Sequence, residues 1–348
     1  MGVSIEYYQE TKPLGTAGAL GYLKDRLKED FFVFYGDVIV DLDMNAMLQY
    51  HRNKHADATL FVHPNDHPYD SDIIDMDTDG RITHFFNKPH EEGFISRNIV
   101  NAGLFIFTPK ILQEIEVGVK SHIEKNILPR CLYHGLALYA YESFEYIKDM
   151  GTPERYFAVC DDVKRGKVAR MNRFHPRPAI FLDRDGTVNE EVNLLNKPDQ
   201  LKLIPGAAEA IRLINKSDYL AVIVTNQPVI ARNLCSIDEL NYIHASLETM
   251  LGKEHAYVNA IYYCPHHPDK GYPEERPEYK IACDCRKPKP GLFFKAAKDW
   301  NIDLANSYMI GDSCRDHEAG INAGCKASIE IKTNEPNALL KAVQGILK

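Results

Sequence analysis

Ala179-Ile180-Phe181-Leu182-Asp183-Arg184-Asp185-Gly186-Thr187 decides how the C-terminal half folds. Four apolar residues in a row read as a strand buried on both faces, and a turn starts where the first carboxylate appears. In open α/β sheets, ligands sit at the carboxyl ends of such strands, so Asp183 and Asp185 are expected to face a crevice. One acid can act as nucleophile or metal ligand while the other carries a proton. Gly186 lets the chain turn away tightly. Alone, Asp-x-Asp-Gly is also a common polar turn, but three later segments change its weight. They are Val222-Ile223-Val224-Thr225-Asn226-Gln227, Arg286-Lys287-Pro288, and Tyr308-Met309-Ile310-Gly311-Asp312-Ser313-Cys314-Arg315-Asp316.

Between them, residues 205–214 have helical spacing and 219–224 read as the next buried strand. Strands alternating with helices imply a parallel, doubly wound sheet. Cys264-Pro265-His266-His267-Pro268 and Cys283-Asp284-Cys285 form the densest cluster of soft ligands in the chain. Two short spacings joined by a loop fit tetrahedral structural zinc, held by Cys264, Cys283, Cys285 and either His266 or His267. The connecting segment, Pro268 to Ala282, is rich in Pro, Gly and charge and would barely fold alone. Zinc would clamp it so that Arg286 and Lys287 enter the site at Asp183.

An Asp pair, a Thr at a strand end, a Lys, and Gly-Asp-x-x-x-Asp, in that order, resemble the four motifs of the haloacid dehalogenase superfamily of phosphatases. The resemblance covers roughly residues 176 to 348. It implies that Asp183 attacks phosphorus and becomes an aspartyl phosphate, while Asp185 protonates the leaving oxygen and then activates water. Thr225 would hold a phosphate oxygen, and Lys287 would neutralise phosphoryl charge. Asp183, the Asp185 backbone carbonyl and Asp312 would bind magnesium, with Asp316 orienting the metal's surroundings or Lys287. Cys-Pro-His-His-Pro, Cys-Asp-Cys-Arg-Lys-Pro and Asp-Arg-Asp-Gly-Thr together look like the heptose 1,7-bisphosphate 7-phosphatases, whose relatives are histidinol phosphatases. That pattern points to His266 as the zinc ligand and to Asn226, Gln227 and Arg286 as readers of the sugar and its second phosphate. Pro228-Val229 and Asn233 depart from the Ser-Gly and Gly usual there, and Ser313 from a charged residue.

The N-terminal half carries a different set of signals. Gly2 to Tyr8 reads as a short strand, and Pro13-Leu14-Gly15-Thr16-Ala17-Gly18 as a loop opening a helix that reaches about Asp30. Phe31-Phe32-Val33-Phe34-Tyr35-Gly36-Asp37 reads as a buried strand ending in Gly-Asp, where Asp37 is placed to hold a hard divalent cation. Further strands are read at Ala58–Val62, within Ile82–Pro89 as a strand running into a loop, at Asn98–Phe107 and before Asp149-Met150-Gly151-Thr152-Pro153. Ser121 is expected to cap a helix, with Glu124 three residues on. This series resembles the sugar-1-phosphate nucleotidyltransferases of the heptose guanylyl type. By that resemblance Asp37 and Asp149 would hold magnesium, and Lys88, Asn101, Glu124 and Lys125 would line a sugar-phosphate pocket. Asn87 stands where the family usually has Glu. The family's opening Gly-x-Gly-Thr-Arg loop and Pro-Lys-Pro segment do not occur, so the α-phosphate lacks its preorganised partner. Either the chain is a fragment of a longer enzyme, the favoured account, or this half binds or assembles without catalysing. An exposed or altered sheet edge is expected where a central strand would lie, and with it self-association or completion by a preceding segment. Little nucleotidyltransferase activity is expected.

The resulting fold class is α/β with two Rossmann-like three-layer domains. Residues 1–165 form an incomplete nucleotidyltransferase sheet, 166–177 a linker whose basic residues form a solvated face, and 178–348 a haloacid dehalogenase-type parallel sheet with a zinc loop. Its 348 residues, 45% apolar, suffice for two cores. A net charge of -8 without a basic run disfavours nucleic-acid binding. Neither a signal peptide nor a membrane-spanning run is legible, and eight cysteines, scattered except for the one cluster, suit a reducing cytoplasm. The leading reading is a magnesium-dependent phosphatase taking D-glycero-D-manno-heptose 1,7-bisphosphate to its 1-phosphate, on the way to nucleotide-activated heptose for a cell-surface glycan such as lipopolysaccharide. Alternatives are a bifunctional phosphatase and guanylyltransferase, a histidinol-phosphate phosphatase, and a non-catalytic sugar-nucleotide binding protein.

Overall fold

The computed structural model describes residues 2–269, 271 and 275–348. The expected clamped segment Pro268–Ala282 therefore lies partly outside the described residues. The first half forms β1 (Phe31–Phe34), β2 (Val38–Asp41), β3 (Ala58–His63), β4 (Ile73–Met76), β5 (Ile82–Phe86), β6 (Val100–Phe107), β7 (Leu138–Glu142) and β8 (Tyr146–Asp149). Six of these make a mixed sheet in the order β5-β4-β6-β3-β7, with β1 antiparallel to β6, while β2 and β8 pair antiparallel with each other. Residues alternate sides along the central strands. Leu60, Val62, Phe105 and Phe107 pack on Ile111, Leu112 and Leu128, whereas Phe61, Leu104 and Ile106 pack on Met47 and Tyr141. Helices thus cover both faces.

Several local expectations are corrected. Gly2 to Tyr8 is not a strand: alternation needs a partner strand, none is paired there, and Val3, Ile5 and Tyr7 stand exposed. The helix at Gly15 ends at Gly21 and continues only as turns. Ser121 caps nothing; its hydroxyl is buried without a partner. The Asn126 side chain instead accepts from the His122 N–H beside a π-helical turn, Ile123–Ile127. β1 is only half-buried and pairs with β6 alone, so its outer edge carries no strand among the described residues.

The second half forms β9 (Ala179–Leu182), β10 (Leu220–Asn226), β11 (Ala260–Cys264), β12 (Tyr308–Gly311) and β13 (Ala327–Glu330), all parallel, in the order β11-β10-β9-β12-β13. Ile180 and Leu182 face the helices Ala207–Lys216, Ile237–Lys253 and Ala338–Leu347. Ala179 and Phe181 face Gly291–Trp300 and Cys314–Asn322. Burial on both sides is why β9 and β10 read as unbroken apolar runs.

The basic stretch before β9 is not simply a solvated face. Lys167–Arg170 is a helical turn, Arg170 pairs with Asp218, and Arg173 donates to the Tyr141 hydroxyl at 2.6 Å. The halves also touch directly. Phe144 stacks on Trp300 with centroids 3.9 Å apart, Ser96 and Thr249 exchange hydrogen bonds, and Arg97 lies 3.9 Å from both Glu142 and Glu248.

Candidate active site

Asp183, Asn226 and Asp312 emerge at or just after the carboxyl ends of β9, β10 and β12, which are adjacent, and the order of the sheet brings their side chains together. Lys287, 104 residues beyond Asp183, closes the group. Its buried Nζ donates to Asp183 Oδ1 at 2.6 Å and to the Val224 carbonyl at 2.7 Å, and lies 2.5 Å from Asp316 Oδ1. The other Asp316 oxygen accepts from the Ser313 N–H and hydroxyl, so Asp316 is spent on holding Lys287 and the following helix. Burial alone would pull the Lys287 ammonium down, but Asp183 and Asp316 overturn that and hold it charged.

Oxygens of Asp183, Asp312 and Asp316 lie within 4.8 Å of one another. Gly186 makes this approach feasible: its φ is +79°, and a Cβ there would overlap the Asp312 carboxylate. Burial pushes the Asp183 carboxyl up to about 7, with Lys287 opposing and Asp316 adding to the rise. Burial raises Asp312 as well. Three carboxylates against one ammonium leave uncompensated negative charge, which a hard divalent cation fits.

Asp185 turns elsewhere. Its carboxylate accepts from Arg184 (2.8 Å), Asn189 Nδ2 (2.9 Å) and Gln227 Nε2 (2.8 Å). Its side chain is therefore not in the metal-capable group. Arg184 is fully buried, and its Nη1 donates to Nε2 of His244 at 3.1 Å. Burial and the Arg184 charge keep His244 neutral, which leaves that nitrogen free to accept. Sequence reading passed over Arg184, Asn189 and His244. An arginine between two acids looks solvated, and a histidine within a helix gives no local sign of its partner.

Asn226 and Gln227, expected to read the sugar, are engaged within the protein. Asn226 exchanges two hydrogen bonds with the Lys287 backbone, at 3.0 and 3.1 Å. Gln227 spans Asp185, Arg184 and the buried Thr225 hydroxyl. Arg286 donates to the His266 carbonyl at 3.1 Å and stands near enough to Arg315 for each to repel the other.

Cys264, at the end of β11, meets the Cys283–Cys285 loop. The sulfur atoms are 3.2 to 3.5 Å apart, and His266 Nδ1 is 3.3 Å from Cys285 and 3.7 Å from Cys264. All three cysteines are free thiols. Ligands on a tetrahedral zinc at about 2.3 Å lie roughly 3.5–3.8 Å from each other, so this set fits one. His266 supplies the fourth donor, while His267 Nδ1 accepts from the Asp269 N–H.

Residues 1–166 match the nucleotidyl transferase family model, and 284–337 a HAD-hydrolase-like model. Over 158 residues the chain is 40% identical to D-glycero-beta-D-manno-heptose-1,7-bisphosphate 7-phosphatase of Haemophilus influenzae, covering 45% of this chain and 83% of that protein. Through its second half, the chain belongs to this phosphatase family. It is accordingly a phosphomonoester hydrolase. A solved D,D-heptose 1,7-bisphosphate phosphatase from B. bronchiseptica, complexed with magnesium and phosphate, is 36% identical, covering 48% of this chain and 87% of that one at a TM-score of 0.40. For the first half, HddC from Yersinia pseudotuberculosis complexed with GMP-PN is 24% identical, covering 44% of this chain and 64% of that one at a TM-score of 0.37.

The residues expected of the nucleotidyltransferase half gather as well, away from the phosphatase centre. Asp37, Lys88, Asn101, Glu124 and Asp149 line one cavity of about 840 Å³; Lys125 does not, being exposed on the adjoining turn. Pairing of β2 with β8 brings the Asp37 and Asp149 carboxylates together over Gly151. Arg155 is bound to Asp149 at 2.7 Å, Lys88 to the Asp70 carbonyl at 2.9 Å, and Glu124 to the Tyr35 hydroxyl. Among the described residues no helix is long and apolar enough to cross a membrane.

Proposed function

We propose that the second half removes the 7-phosphate of D-glycero-D-manno-heptose 1,7-bisphosphate, leaving the 1-phosphate, through an aspartyl phosphate on Asp183. The observation that carries this reading is the contact of Lys287 Nζ with Asp183 Oδ1 beside two further carboxylates. It sets one nucleophilic oxygen next to a fixed cation at a strand end. Asp183 and Asp312, with the Asp185 backbone carbonyl, would hold magnesium. The cation supplies charge neutralisation when bound, letting an anionic nucleophile approach an anionic ester.

In this reading Asp183 forms a bond to phosphorus as the sugar C7 oxygen leaves with a proton from Asp185. Asp185 then takes a proton from the water that cleaves the acyl phosphate and regenerates the Asp183 carboxylate. Arg184, Asn189 and Gln227 aim Asp185, and Thr225 and Lys287 hold the transferring group's oxygens. Arg286, with Arg315 near it, is the candidate for the substrate's other phosphate. Zinc on Cys264, His266, Cys283 and Cys285 would fix the loop that delivers Arg286 and Lys287. The substrate is a small sugar phosphate in the cytoplasm, with neither nucleic acid nor membrane as partner, and the product would feed nucleotide-activated heptose synthesis.

The test is phosphate release from the heptose bisphosphate with magnesium, for the wild type and Asp183→Asn, with the product identified by ³¹P NMR. Loss of the C1 phosphate instead of the C7 phosphate, or faster turnover of histidinol phosphate, would refute the proposed substrate.

A further inference from the structure

Arg184, which holds Asp185, is itself held from a helix that both halves grip. Along Ile237–Lys253, Leu240, Ile243, Leu247 and Leu251 pack into the core of the second half. His244, also buried, reaches the phosphatase centre, where its Nε2 accepts from Arg184 Nη1 at 3.1 Å. Further along, the same helix meets the first half. The Thr249 hydroxyl accepts from the Ser96 N–H at 3.2 Å and donates to the Ser96 carbonyl at 3.1 Å. Buried Glu248 faces Arg97 Nε at 3.9 Å. Gly252 lets Pro68 pack close, since a Cβ there would stand 2.5 Å from the Pro68 ring. Just past the helix, His255 Nδ1 donates to the Asp66 carbonyl at 3.2 Å.

His244 and Glu248 are i and i+4 on this helix and so share one face. From the surface inward the groups run Arg97, Glu248, His244, Arg184, Asp185, and the first of them comes from the other half. Glu142, also from the first half, lies 3.9 Å from Arg97, and its charge works against that of Glu248. Without Arg97, two carboxylates would oppose each other across the seam and push the helix away. His244 would move with it. Arg184 gives Nη1 to His244 and keeps Nε and Nη2 for Asp185 and Gln227. A planar fork fixed at one corner cannot turn without lifting the others, so the His244 bond sets the direction in which Asp185 is held. The Arg97 charge also joins burial and Arg184 in keeping His244 neutral, the form whose Nε2 can accept.

We propose that Arg97 is a positioning residue for the phosphatase reaction: from the first half, through Glu248 and the helix that carries His244, it sets the Arg184 fork and so the aim of Asp185. This deepens the proton-carrying role proposed for Asp185 and rests on it. The first half is then a brace for the second, whatever else it binds or catalyses. A small misplacement of a proton donor costs rate without costing affinity. The loss falls on esters whose leaving oxygen needs a proton, such as the sugar C7 oxygen. An ester such as p-nitrophenyl phosphate, whose nitrophenolate leaves as the anion, is spared.

The test measures kcat/KM of the full-length chain, zinc and magnesium present, on the heptose bisphosphate and on p-nitrophenyl phosphate. That ratio reports the steps up to formation of the aspartyl phosphate. Wild type is compared with Asp185→Asn, Arg97→Met, Arg97→Lys and Gly252→Ala. Asp185→Asn should slow the bisphosphate far more than the nitrophenyl ester. Arg97→Met should show the same pattern at reduced size, roughly three- to tenfold on the bisphosphate and under twofold on the nitrophenyl ester, with KM for the bisphosphate unchanged. Arg97→Lys keeps the charge and should restore most of the loss. Gly252→Ala repeats the test without removing a charge: alanine suits a helix better than glycine, while its Cβ would drive Pro68 off the helix. Should Arg97→Met fold poorly in thermal melting, Gly252→Ala decides. A discriminating Asp185→Asn beside an Arg97→Met or Gly252→Ala that leaves both esters unchanged, or slows both alike, would overturn this proposal alone. Equal slowing of both esters by Asp185→Asn would refute the proton-carrying role, and this proposal with it.

Discussion

The two ends of the β9–β13 sheet are finished to different degrees. At the carboxyl ends the ionisable groups of the centre touch one another: Lys287 touches Asp183 and Asp316, and Arg184 touches Asp185. At the amino ends, a strand's length away and therefore on the order of 15–20 Å distant, Lys167 and Arg177 face a cavity without a carboxylate in contact. A centre that must lower a barrier arranges its charges before substrate arrives.

The contrast breaks outright if the nucleophile is misplaced. Asp183→Asn should lower phosphate release by about 10⁴-fold or more; turnover within tenfold of wild type would remove Asp183 from its role. Stripping zinc, or Cys283→Ser, should cost on the order of 10²-fold in kcat, because Lys287 follows the last ligand closely. Metal analysis should then show the loss of one zinc per chain, and zinc retention with unchanged kcat would end the clamp argument.

A finer test is Arg184→Lys, which keeps charge but removes the fork on Asp185 and the bond to His244. We expect kcat to fall roughly 10- to 100-fold with KM nearly constant, since Asp185 would be loosened and not deleted. An effect confined to KM would place Arg184 on the substrate instead.

The smallest effect concerns the seam between the halves. Burial pushes Glu248 up to about 7, and neighbouring Arg97 only partly offsets it. The folded state thus favours protonated Glu248. This contribution is complete below the unfolded value of 4.5 and is lost as pH rises through about 7. Glu248→Gln should flatten the fall in stability between those values, by about 1–3 kcal/mol, in denaturant titrations. An unchanged slope would assign it to other groups.

How far the sequence reached can be judged residue by residue. The runs before Asp183, Thr225 and Asp312 were legible because strands covered on both faces need uninterrupted apolar residues. Residues 2–8 misled because period-two alternation describes a strand without naming its partner. Arg184 was passed over and Lys167 read as part of a solvated face, since charge in sequence looks the same whether it meets solvent, a histidine or a cavity.

The order of residues alone determined the parallel sheet of the second half, a soft-ligand cluster of Cys264, Cys283, Cys285 and one of two histidines, and the acids that end the strands, because burial periodicity and ligand spacing are local. Packing alone decided that Asp185 turns to Arg184 and Gln227 while Asp183 meets Lys287, and that Lys167 and Arg177 share one cavity. The contacts to Gln227 and Lys287 join groups far apart in the chain, and a side chain's charge and direction depend on what the rest of the fold brings to it.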